Sequence, residues 1–125
     1  MKRDIGLVRE ILLRLEPLSV DPDNPIPLTV GEPPLDIPGY TSDQISYHMH
    51  IMGQGDLITY GGFTSPVRIP RFMGLRWMGH EFLDDVRDPI AWEETNKKIQ
   101  KMGGASLQVV WELAKAYLRT HGLPF

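Results

Sequence analysis

The chain has 125 residues, 42% of them hydrophobic and 23% charged, which is the balance of an ordinary globular domain long enough to bury a core without staples. It contains no cysteine, so thiolate zinc sites, iron–sulfur clusters, disulfides and cysteine nucleophiles are excluded, and a reducing, cytoplasmic setting is expected. No apolar run is long enough to span a bilayer, no secretory leader is evident, and the net charge of -3 argues against a protein that grips nucleic acid over its whole surface.

The first helix is expected over Lys2 to Glu16. Ile5, Val8, Leu12 and Leu15 step by three and four, while Arg9, Glu10 and Arg14 face away. Asp4 is placed to cap it and Pro17 to stop it. Seven prolines then fall between Pro17 and Pro38, which rules against helix there. An extended excursion is expected, with at most short strand segments at Leu28 to Val30 and Leu35 to Ile37, serving either as a functional arm or as an ordered wrap over the core.

Thr41 and Gln44 form a capping box that starts a helix over Ser42 to Gln54. Ile45, Met49 and Met52 share its apolar face, and Asp43, Ser46, Tyr47, His50 and Gln54 share the other. Gly55-Asp56 supplies residues that tolerate a left-handed cap. Leu57 to Tyr60 and Arg71 to Arg76 read as the two strands of a hairpin, joined through Gly61-Gly62 and Thr64-Ser65-Pro66. Gly61 to Gly79 holds Arg68, Arg71 and Arg76 and no acid, so any phosphate-seeking surface belongs on this wing.

An amphipathic helix follows over Trp77 to Arg87, with Phe82, Leu83 and Val86 inward and Glu81, Asp84 and Asp85 outward. Asp88-Pro89 restarts the chain as a helix over Pro89 to Met102 that ends at Gly103-Gly104. Ser106 caps the last helix, which runs to about His121 with Leu107, Val110, Trp111, Ala114 and Leu118 in its stripe. That stripe, with Trp92, either clamps the first helix or forms a two-fold dimer interface.

Helix, tight turn and leucine-led strand in this order are what a winged helix-turn-helix uses for its recognition helix and first wing strand. The expected fold is therefore α+β and mostly helical. It is a winged helix-turn-helix-like domain in which a proline-rich loop at 17–40 replaces the second helix, with the wing at 57–76. Residues 1–88 form its core and 89–125 a C-terminal helical hairpin of the same domain. Three stretches carry a family resemblance: M-K-R-D-I-G-L-V-R-E-I-L-L at the start, I-S-Y-H-M in the centre and L-R-W-M-G-H-E-F-L-D-D-V-R-D after the wing. Together they resemble a family of short bacterial and phage proteins known as a domain of unknown function. The resemblance implies a winged-helix-like fold and carries over no activity, cofactor or catalytic residue.

Ser46, Tyr47 and His50 are candidates to meet base edges, and Arg68, Arg71 and Arg76 to meet phosphates. Against this, the helix has no lysine or arginine, and a solvated face is the plainer reading. His48 and His50 point roughly 200° apart on a helix and cannot share an ion. His80-Glu81 with Asp84 is only a substituted match to the helical zinc motif, and Asp84 with Asp85 is more simply an exposed face than an acid–base pair. Trp77, Trp92 and Trp111 serve either as interface anchors or as core. The expected function is thus a non-enzymatic regulator without cofactor or metal that binds DNA weakly. The alternative is a protein-interaction module, through a partner or a second copy, that has lost DNA binding.

Overall fold

The computed structural model describes residues 1–21, 23–61 and 71–121. Among these are five helices and one three-stranded antiparallel sheet. The contacts divide the chain within its third helix into two compact units, Met1–His80 and Glu81–Phe125.

In the first unit, helix α1 (Ile5–Leu15) starts where Asp4 accepts from the Leu7 N–H. It buries Ile5, Leu7, Val8, Ile11, Leu12 and Leu15. The proline-rich segment is an ordered wrap. It sinks Leu28, Leu35 and Ile37 into the core, and Arg14 of α1 ties it down by donating to the Pro34 carbonyl and the Asp36 carboxylate, both at 3.2 Å. The two short strands expected at Leu28 to Val30 and Leu35 to Ile37 do not form. The segment instead supplies one strand, β1 (Ile26–Pro27), slightly earlier.

Helix α2 (Ser42–Gln54) carries the full capping box: the Thr41 hydroxyl accepts from the Gln44 N–H at 3.1 Å, and the Gln44 side chain accepts from the Thr41 N–H at 2.8 Å. It leads into β2 (Ile58–Gly61), which pairs with β3 (Arg71–Leu75). Ile26 of β1 lies opposite Phe72 and Pro27 opposite Arg71, so the sheet order is β1-β3-β2. A two-stranded ribbon is marginal alone; the third strand and the helices behind it give it a buried face. Phe72, Ile58, Met49, Met52, Leu7 and Ile11 form the centre of that core.

Helix α3 (Trp77–Val86) begins directly after β3. Gly79 permits this, because a Cβ there would collide with the Leu57 carbonyl oxygen. The helix backbone lies against the backbone at the start of β2, an approach that excludes any side chain.

In the second unit, Asp88 caps α4 (Pro89–Lys101), accepting from the N–H groups of Ile90 and Ala91. Gly103 and Gly104, both at positive φ, close it, and the Gly104 N–H reaches back to the Ile99 carbonyl. Ser106 caps α5 (Leu107–Thr120), which packs on α4. The Trp111 indole donates to Asp85 at 2.6 Å, and the Phe82 ring meets it edge-on at 5.5 Å. Lys115 stands 4.8 Å over the same indole.

Two substitutions test this packing. Gly79→Ala is expected to cost about 1–3 kcal/mol or more, as overpacking against rigid backbone does, read as a lower urea midpoint. Thr95 in α4 is buried with its hydroxyl unsatisfied. Thr95→Val is therefore expected to stabilise the chain by about 1 kcal/mol, by removing a desolvated group that gains nothing in return. A Thr95→Val variant less stable than the parent would contradict that account.

Candidate nucleic-acid interface

The orientation of α2 is fixed from behind. His48 is 1% exposed. Its Nδ1 lies 2.7 Å from the Gln44 carbonyl, which can only accept, so Nδ1 carries the proton. Its Nε2 then accepts the Asp4 backbone N–H at 2.8 Å. The Asp4 carboxylate in turn accepts from the Leu7 N–H and from the Tyr40 hydroxyl at 3.1 Å. A neutral imidazole thus joins the cap of α1 to the middle of α2, and Asp4 joins both to the end of the proline-rich wrap. Tyr40 is pushed up to about 12, by partial burial first and by the adjacent Asp4 carboxylate second.

With Ile45, His48, Met49 and Met52 turned inward, the opposite face presents Asp43, Ser46, Tyr47, His50 and Gln54 to solvent. Ser46, Tyr47 and His50 lie three and four residues apart and share a surface. Tyr47 is held with its ring edge-on to His48 at 5.8 Å. This face offers hydroxyl, imidazole and amide groups and one carboxylate, and no cation.

The arginines are not one patch. Arg71 sits opposite Gly61, at the loop end of the hairpin, whereas Leu75 sits opposite Ile58 at its base. Arg76 therefore lies about five strand residues, or roughly 16 Å, from Arg71. Its guanidinium donates to Asp56 at 2.8 Å. Asp56 holds the left-handed conformation after α2 (φ 63) that lets the chain turn into β2, while Gly55 does not. Arg68 lies outside the described residues, as does the Gly62 to Pro66 part of the wing loop.

The remaining candidates are dispersed. His50 is exposed and His48 buried, as the 200° separation requires. His80 Nδ1 lies 3.9 Å from Glu16. Asp84 is bonded to Arg87 at 3.2 Å and Asp85 to Trp111, so the two carboxylates are separately engaged. Among the described residues no group of three or more His, Cys, Asp or Glu is placed to hold a metal ion, and none of the helices is long and apolar enough to cross a membrane.

The apolar stripe of α5 is largely covered within the chain. Val110, Trp111, Ala114 and Leu118 are already buried by the chain itself, while Leu107 and Trp92 are half-buried. The three tryptophans have parted company: Trp111 is 8% exposed, Trp77 76%. Trp111 lies within the apolar stripe of α5, whereas Trp77 opens α3.

An α+β chain with a braced hairpin beside a helix of exposed polar residues is the class of protein defined here. Residues 2–106 match the family described as hypothetical protein (DUF2513), and the chain belongs to that family. It is also similar to a Haemophilus influenzae protein whose printed description is "Uncharacterized protein", with 30% identity over 122 residues that cover 94% of this chain and 96% of the relative. No solved structure matches it.

Tyr60 is likewise pushed up to about 12 by burial. A tyrosine that holds its proton more tightly folded than unfolded adds stability that is fully present below its ordinary value of 10.0 and is lost as pH climbs from there toward about 12. Stability by urea unfolding should therefore fall above pH 10, and the fall should be smaller in a Tyr40→Phe, Tyr60→Phe double variant. Equal alkaline losses in the two proteins would contradict the assignment.

Proposed function

We propose that the protein is a non-enzymatic regulator of winged-helix type that binds DNA weakly, presenting the Ser46, Tyr47 and His50 face of α2 to base edges while Arg71, with Arg68 from the same loop sequence, meets phosphate. The observation that carries this reading is the polarity of α2. One face is pinned to the core through His48, and the other holds only hydrogen-bonding and aromatic side chains in solvent. Groups of that kind read base edges without contributing much sequence-independent affinity. The sheet order β1-β3-β2 supports the winged-helix assignment, because the wing hairpin is braced by a strand drawn from before α2.

Arg76 is left out of the proposed grip. Its partner Asp56 already offsets its charge, and it stands at the wrong end of the hairpin. Those same facts favour a second reading, a protein-interaction module without DNA binding. With one or two arginines in contact and no cation on the helix, DNA affinity should be low and the salt slope shallow, close to -0.9 per phosphate neutralised.

Fluorescence anisotropy of a labelled random-sequence duplex across a salt series separates the two readings. Binding at low salt is expected, lost in Arg68→Ala, Arg71→Ala, reduced in Tyr47→Ala, His50→Ala and nearly unchanged in Arg76→Ala. No binding at the lowest salt would reject the DNA reading in favour of the second.

A further inference from the structure

Trp77 is the most solvent-exposed large hydrophobic side chain described, at 76%, and Met78 beside it is 45% exposed. Both stand at the base of the hairpin, at the far end from Arg71. Directly before them Arg76 reaches to Asp56, and one turn after them His80 faces Glu16. An exposed tryptophan and methionine within a polar rim have the make-up of an interface centre, where tryptophan, methionine and arginine are enriched.

We propose that this patch binds a second copy of the same chain about a two-fold axis, with Trp77 and Met78 at the centre and the Asp56–Arg76 ion pairs exchanged between copies. The charge pattern selects that occupant. A two-fold contact must be complementary to itself, so each charge must find its opposite on an identical surface. At one edge of the patch a carboxylate and a guanidinium stand side by side, 67% and 51% exposed, and two copies facing each other can trade one intramolecular pair each for two intermolecular pairs at no loss of charge balance. A nucleic acid would meet there a guanidinium already offset by its neighbour, with the Glu16 carboxylate on the same rim.

The proposal does not depend on DNA binding, since none of its residues lies on the Ser46, Tyr47 and His50 face. It also differs from a dimer through α5, whose stripe the chain already covers. A patch built around two large side chains per copy belongs to the small class of specific interfaces, below roughly 1,200 Å² in total, so the association should be micromolar or weaker and visible only on raising the concentration.

Sedimentation equilibrium of the full chain over a wide concentration range tests this. A reversible monomer–dimer equilibrium is expected, weakened roughly thirtyfold or more by Trp77→Ala, the size of a hot-spot truncation. The melting temperature in dilute solution should be unchanged, because so exposed a ring contributes little to the core. Asp56→Arg and Arg76→Asp should each weaken self-association, and mixing the two variants should restore it as a heterodimer, because both cross-pairs are then of opposite sign. Asp56 has a positive φ, so Asp56→Asn, which tolerates that backbone, serves as the check if Asp56→Arg lowers the melting temperature; it too should weaken the dimer. A protein that stays monomeric at the highest concentration would overturn the proposal. So would a dimer indifferent to Trp77→Ala, or folded charge variants that fail to recombine.

Discussion

A single neutral imidazole sets the geometry on which the first unit depends. His48 takes the Asp4 amide on one ring nitrogen and gives its other proton to the Gln44 carbonyl. Buried polar groups are costly unless satisfied, and this one is satisfied twice, by partners 44 and 4 residues away. Because Asp4 also caps α1 and accepts from Tyr40, the start of the first helix, the end of the wrap and the middle of α2 are held in one network. The face of α2 turned to solvent follows from this. Rotating the helix would break the His48 bonds before it exposed any of Ile45, Met49 or Met52.

The proline-rich wrap performs a task that a helix would otherwise perform. Its prolines forgo amide donors, so the segment needs few backbone partners, and outside β1 several of those it makes are local, such as the Leu35 N–H to the Glu32 carbonyl. Leu28, Leu35 and Ile37 are buried in the core. Arg14 and the Tyr40–Asp4 bond anchor the segment near its middle and its end. Its one strand then joins the hairpin along β3. Of the two readings open in the sequence, a functional arm or an ordered wrap over the core, the segment takes the second.

Local chemistry was legible in the sequence and long-range pairing was not. The caps at Asp4, Thr41, Asp88 and Ser106 were readable because each is decided within three residues. The inward faces of α1, α2 and α3 were readable because periodicity alone fixes them. β1 was misplaced because a two-residue strand is chosen by its partner, here Phe72 and Arg71, and not by its own composition. Arg76 was grouped with Arg71 because both lie in one acid-free stretch of sequence, whereas the extended strand between them sends them to opposite ends of the hairpin. His48 was read only as a ligand that could not pair with His50; nothing local signals a histidine whose acceptor role is filled from 44 residues away. Whether Trp111 served as core or as interface anchor was not legible locally, because that depends on the Asp85 and Phe82 side chains placed beside it.

The hairpin itself separates two chemistries. At its loop end, Arg71 stands without an acidic residue in the adjoining loop sequence; at its base, Arg76 and Asp56 cancel beside an exposed tryptophan. A surface meant for phosphate gains from uncompensated charge, and one meant for an identical copy gains from charge that sums to zero but is spatially divided. Placing the two at opposite ends of a short ribbon lets each be kept without weakening the other. In an acidic chain that separation has a further effect. Self-association through the base, as proposed, would bring two loop ends, each with its own Arg71, into one particle. Two weak contacts joined in this way bind with an effective concentration that neither has alone. On this view the low cationic content of α2 does not argue against a role at DNA. It is what would make binding depend on assembly, and the chain would then need Trp77 as much as it needs Tyr47.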